Sequence, residues 1–205
     1  MTVRARHSGL GTRLSILAAA LAPWSAQVGA QAAAPSTDVY LYRLAPARSE
    51  VVNITNRVGY DNQPAWVGNA LFFTVQSNGQ TDIHRFNFET GTKAPVVETP
   101  ESEYSAAPTP DGKGYAVIRV ELDSTQRMWR FPMGAGAPSV ILPLIKPVGY
   151  FAYLDSTTLA LFVLGNPRIP RDPSTLQIAD IRTGKGTVVA ANIGRSLQHV
   201  PGGRR

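Results

Sequence analysis

The sequence predicts an all-β fold, a β-propeller of four-stranded antiparallel blades, with about three full blades and partial strands at both ends. Three observations carry this expectation. First, one segment recurs. Asp61-Asn62-Gln63-Pro64-Ala65-Trp66 precedes the apolar run from Ala70 to Val75, and Ser105-Ala106-Ala107-Pro108 precedes Tyr115 to Val120. A worn copy, Gly149 to Asp155, precedes Thr158 to Val163. Aligning Trp66, Pro108 and Tyr153 gives spacings of 42 and 45 residues, the length of one propeller blade. Second, turn signals such as Asn78-Gly79, Thr90-Gly91, Asp111-Gly112 and Thr183-Gly184 separate these short apolar runs, as hairpins require. Third, no helical period is legible after residue 31. A single blade leaves apolar faces uncovered, so repeats of this kind must stack on one another.

The first thirty residues read as a leader rather than as fold. Arg4, Arg6 and Arg13 form a positive start, and Leu14 to Ala22 is a short apolar stretch. Val28-Gly29-Ala30 places small residues before a cleavage site, expected after Ala30. The apolar stretch is about half of the ~20 residues that a bilayer span needs, so a cleaved Sec-type signal is expected and no membrane span after it. Arg4 and Arg6 are not adjacent, and the chain holds no cysteine, which argues against twin-arginine export and against a lipid-bearing cysteine. The expected location is periplasmic or secreted. The leader also explains much of the charge. Of the net +6, three charges come from its arginines, leaving +3 on residues 31–205. A nucleic-acid partner would need a clustered basic face interleaved with aromatics, and none is legible. Without cysteine the exported fold rests on its core alone.

The elements follow in order. Residues 31–36 form an Ala/Pro-rich spacer, and residues 37–205 the propeller. Asp38 to Leu44 and Glu50 to Thr55 read as the two outer strands of an incomplete blade. The first complete repeat spans about 58–101, with strands at Asn62 to Trp66, Ala70 to Gln76, Asp82 to Phe88 and Ala94 to Glu98. The second spans about 102–146, with strands from Tyr104, at Tyr115 to Leu122, Gln126 to Phe131 and Ser139 to Leu142. The third spans about 147–193 and carries a Pro-rich insertion from Asn166 to Pro173. Gly194 to Val200 is expected to begin another innermost strand. Either this strand shares a blade with the N-terminal pair, closing a ring of four, or the ring is truncated; the strand count favours truncation, because closure leaves that blade without its second strand.

Pro64-Ala65-Trp66 and Pro110-Asp111-Gly112 each hold half of a repeat motif, and Thr90-Gly91 and Thr183-Gly184 hold its later turn. On these residues the chain resembles the TolB-type, WD40-like β-propellers of exported bacterial proteins, over about residues 37–200. The resemblance implies a propeller behind a signal peptide. It also implies an α/β domain ahead of the propeller, and between Gln31 and Asp38 there is no room for one. The chain therefore reads as a truncated member lacking that domain.

No catalytic constellation is legible. The histidines after the leader, His84 and His199, are far apart and read as ordinary strand residues. Gly194-Arg195-Ser196-Leu197-Gln198 lacks the second glycine of a nucleophile elbow. Zinc-ligand spacing is absent, and Gly112-Lys113-Gly114 lacks the rest of a phosphate-binding loop. No cofactor or metal is expected, and Asn53-Ile54-Thr55 reads as a strand end. Candidate binding residues come instead from propeller geometry, in which the loops leading into the innermost strands form one rim. Those loops supply Tyr60, Asp61 and Asn62, then Glu103 and Tyr104, then Tyr150, with Arg195 and Gln198 at the corresponding place of the fourth unit. Tyrosine offers a rigid apolar body with a hydroxyl, suited to a peptide or a glycan. Packing between blades, where large aromatics fill wedges, is the alternative reading of the same tyrosines.

The expected function is an exported, non-enzymatic interaction module that binds an envelope protein or peptide through the blade-loop rim. Two alternatives remain at this level. One is a propeller accessory to a prolyl oligopeptidase-like serine hydrolase, and the other is a glycan-binding propeller.

Overall fold

The computed structural model describes residues 36–44, 50–166, 168–169 and 172–198. The leader, its cleavage position, His199 and the end of the expected final strand lie outside the described residues. Among the described residues, fourteen strands form four antiparallel sheets. A hairpin of β1 (Tyr40–Arg43) and β2 (Glu50–Asn53) comes first. The first blade follows as β3 (Asp61–Val67), β4 (Ala70–Ser77), β5 (Gln80–Phe86) and β6 (Lys93–Pro95). The second is β7 (Ser102–Pro108), β8 (Gly114–Val120), β9 (Gln126–Pro132) and β10 (Ser139–Ile141). The third is β11 (Val148–Tyr153), β12 (Thr158–Val163), β13 (Thr175–Asp180) and β14 (Lys185–Ala191). Within each blade the strands pair in chain order, as a propeller requires.

Strand register supports the repeat alignment. Trp66 pairs with Leu71, Pro108 with Tyr115 and Tyr153 with Leu159, so the three aligned residues hold one structural place. Each innermost strand also carries an irregularity, between Asn62 and Ala65, Tyr104 and Ala107, and Val148 and Tyr150. In the first two blades the bulge puts a non-glycine residue at positive φ, Gln63 at 53° and Ser105 at 55°. Bulges of this sort bend a strand and re-aim its side chains.

Between the blades lie three apolar clusters. Val39 and Ile54 of the hairpin segment pack on Leu71, Phe73 and Val75. Phe72, Ile83 and Val97 of the first blade meet Tyr115, Val117 and Phe131 of the second. Ile118 and Met128 of the second meet Leu159, Leu161 and Ala179 of the third. The central strand of each blade, β4, β8 or β12, is buried along nearly its whole length, which explains its continuous apolar run. Asn53 ends β2, where its side chain donates to Asp38 and accepts from the backbone of Thr55 and Asn56.

The end of the chain departs from the expectation. Residues 194–198 form no strand, although they run beside the innermost strands. Gly194 sits in an open stretch with no side chain pressing on it, and exposure at Arg195, Ser196 and Gln198 gives this segment little to bury. The hairpin β1–β2 forms its own two-stranded sheet.

Candidate functional site

A cavity of about 630 Å³ opens where the innermost strands converge. Its wall comes from Gln63 to Ala65 on β3, Ser105 to Pro108 on β7, Tyr150 to Tyr153 on β11, and Arg195 to Gln198. The bulges shape this wall. At its bulge, Gln63 turns its carboxamide oxygen to accept the Thr74 hydroxyl at 2.8 Å and the Ser105 backbone N–H at 3.0 Å. One side chain thus joins two strands of the first blade to the innermost strand of the second. The Ser105 hydroxyl is buried without a partner among the described residues. Arg195 is the charged group of the described lining, and it is exposed. The cavity therefore offers small apolar surface, two tyrosines, amide groups and one cation, a set that suits an extended chain better than a compact charged solute.

The eight residues read from the sequence divide into three groups. Tyr150, Arg195 and Gln198 line the cavity directly. Tyr60, Asn62 and Tyr104 are half-buried beside it. Burial raises the Tyr60 pKa, and the neighbouring phenols of Tyr150 and Tyr104 add to the rise while the Asn62 side chain opposes it. The three tyrosines accordingly share one neighbourhood. They are not strict repeats, because Asn62, Tyr104 and Tyr150 pair with Thr74, Ile118 and Phe162. Tyr60 stands two residues before that place.

Asp61 and Glu103 form the third group, and they lie beneath the rim rather than on it. Both side chains are fully buried. Arg57 donates to Asp61 through Nε at 3.0 Å and a terminal nitrogen at 2.7 Å. Arg119 donates to Glu103 at 3.0 Å, and the Thr99 hydroxyl donates at 2.6 Å. The Arg119 guanidinium lies over Trp129 at 4.5 Å and Phe131 at 5.0 Å, a cation–π arrangement inside the blade junction. Burial pushes the Glu103 carboxyl above its ordinary range despite Thr99 and Arg119. These acids are not available to a partner at the rim.

Sequence reasoning missed the cavity wall itself. Gln63, Ser105 and Tyr153 line it, and burial pushes the Tyr153 phenol up to about 12. Tyr153 was in view as the third aligned residue of the repeat, but Gln63 and Ser105 carry no signal apart from their place in the innermost strand. His84 lies within β5 beside Phe73, ring centroids 6.1 Å apart, and burial lowers its pKa.

No protein-family model matches the sequence, and no curated protein matches it. Solved structures do. TolB from Acinetobacter baumannii is similar at 22% identity over 76% of this chain and 38% of that one, with a TM-score of 0.57. A putative TolB from Agrobacterium tumefaciens is similar at 13% identity over 67% of this chain and 51% of that one, with a TM-score of 0.55. The fold is that of a TolB-like β-propeller. A chain in a nidogen/laminin complex shares the fold as well, at 13% identity over 77% of this chain and 59% of that one, with a TM-score of 0.56. The chain spans 38%, 51% and 59% of these neighbours' lengths. At such identities the likeness is one of architecture, and propellers host many unrelated activities.

Proposed function

We propose that this chain is an exported, non-enzymatic interaction module that binds a protein or peptide through the rim and cavity of its innermost strands. The observation that carries this reading is the cavity of about 630 Å³ with Tyr150, Arg195 and Gln198 in its wall, and with Tyr60 and Tyr104 close by. Tyrosine and arginine are the residue types that dominate binding energy at protein interfaces. An extended segment laid across the cavity meets apolar surface from Ala65, Ala107 and Ala152, the phenols of Tyr150 and Tyr153, and the Arg195 cation. The site reads an envelope protein or peptide in a periplasmic or extracellular setting, the compartment implied by the leader.

Pull-down from an envelope extract tests the reading. The full chain is expected to retain a partner that the triple variant Tyr60→Ala, Tyr104→Ala, Tyr150→Ala retains at least about tenfold less well, as loss of interface anchors requires. The thermal midpoint of the variant serves as the folding control. Equal retention by a folded variant removes the rim from the proposal, and retention of glycans instead of protein identifies a different class of ligand.

A further inference from the structure

A second cavity, of about 390 Å³, lies between the second and third blades. It sits at the turns that leave the innermost strands, Thr109 to Asp111 after β7 and Ser156 after β11, whereas the rim loops lead into those strands. Its apolar wall is Pro110, Val140, Ile141, Leu142, Pro143 and Ile181. Against that wall stand the Asp111–Arg130 pair, the Tyr153 phenol and the hydroxyls of Ser139 and Ser156. An apolar hollow of this size with a few placed polar groups has the form of a small-molecule site.

The cation in this wall is held in place by its neighbours. Thr109 donates its hydroxyl to Asp111 Oδ1 at 2.6 Å, and the Lys113 backbone N–H donates to the same oxygen at 3.0 Å. The other oxygen, Oδ2, accepts from one terminal nitrogen of Arg130 at 3.1 Å. The guanidinium also rests on the backbone of β8, where a Cβ on Gly114 would come within 3.4 Å of its carbon. Its remaining N–H groups donate to no acceptor among the described residues. Tyr153 adds a second donor. Arg130 and Asp111 both act on its phenol, which burial pushes up to about 12, so the hydroxyl keeps its proton at neutral pH. Phe151 meets the Tyr153 ring edge-on, centroids 6.0 Å apart. Leu142, in the apolar wall, is held at φ 53°, and backbone strain at a bulky residue is kept mainly at binding sites and switches.

We propose that this cleft binds a small carboxylate with an apolar body. The carboxylate takes the open N–H groups of Arg130 and the Tyr153 hydroxyl, and the body lies on Pro110, Leu142, Pro143 and Ile181. A carboxylate fits because the planar guanidinium offers paired N–H groups matched to two oxygens. Both oxygens of Asp111 already accept hydrogen bonds, so the acid positions Arg130 and leaves the wall rich in donors. An amine would face the guanidinium. A phosphate monoester would bring a second negative charge towards Asp111, and the wall holds no second cation to meet it. The inference is independent of what the rim binds.

The test is calorimetric titration of the full chain with sodium benzoate, with benzyl alcohol as the neutral probe and phenyl phosphate as the dianion, all at one ionic strength. Benzoate is expected to bind once per chain with a Kd of about a millimolar or below, and both other probes at least about tenfold more weakly. Arg130→Gln is expected to cost benzoate at least about tenfold, because it removes a hydrogen bond to a charged group. Tyr153→Phe, which deletes only the hydroxyl, is expected to weaken it severalfold. Arg130→Lys keeps the charge without the planar fork and is expected to bind more weakly than the parent, which carries the test if Arg130→Gln lowers the thermal midpoint. Tyr153 borders the central cavity too, so Arg195→Gln, which alters that cavity alone, is the control and is expected to leave benzoate binding unchanged. No heat at about ten times the expected Kd, equal binding of benzyl alcohol, or indifference to both Arg130 variants overturns the proposal. Tighter binding of phenyl phosphate overturns the carboxylate, and loss of benzoate on Arg195→Gln moves the site to the central cavity and also overturns it.

Discussion

Asp61 and Glu103 begin adjoining innermost strands, and each places a wholly buried carboxylate beside an arginine. One oxygen of each carboxylate has no partner among the described residues. For Glu103, burial outweighs its partners and raises the folded-state pKa above the ordinary value of 4.5. A raised acid favours its protonated form in the folded state. Its stabilising contribution is therefore full below about 4.5 and is lost as pH rises through the folded-state pKa. Glu103→Gln is expected to flatten this part of the stability profile, checked by thermal midpoints from pH 4 to pH 7. Glu103→Ala is expected to cost about 3–5 kcal/mol, because it strips Arg119 of its closest acid inside the junction. Ser105 poses the opposite problem, with φ at 55° and a hydroxyl buried without a partner. Ser105→Gly removes both penalties, and after the entropic cost of glycine a gain of about 1 kcal/mol is expected in denaturant unfolding. The acids were visible in the sequence as neighbours of rim tyrosines, but adjacent strand residues point to opposite faces. A carboxylate next to an outward phenol is thereby turned into the blade junction.

At the scale of the element, alternation and turn residues made the blades legible. The full-length strands begin and end within a few residues of where turns such as Asn78-Gly79 and Asp111-Gly112 placed them. The outermost strands β6 and β10 are shorter than their apolar runs suggested, whereas the outermost strand of the third blade, β14, runs for seven residues. The bulges were not legible, because Gln63 and Ser105 adopt a backbone region that the sequence signals only through glycine, asparagine or aspartate. Gly114 shows the reverse case. A Cβ there would lie 2.5 Å from the Phe131 carbonyl oxygen, so Gly114→Ala must force β8 and β9 apart. A loss of about 1–3 kcal/mol is expected in thermal or denaturant unfolding, the range of overpacking. Leu161→Ala opens a void between the second and third blades, where Leu161 is fully buried, and is expected to cost about 2–5 kcal/mol.

For the whole molecule, the repeat specified the architecture and left the ligand open. Stacking three sheets through apolar wedges aligns their innermost strands, and the cavity is a consequence of that alignment. The sequence pointed to the rim through its tyrosines, while the wall of alanines, Gln63 and Ser105 carries no chemical signature of its own. The most direct test of the binding surface is hydrogen exchange on the full chain with and without the partner it retains from an envelope extract. Protection is expected at residues 60–65, 104–107, 150–153 and 195–198 together, with the outer strands β6, β10 and β14 unchanged. Protection confined to the outer strands, with those four segments unaltered, would contradict the account.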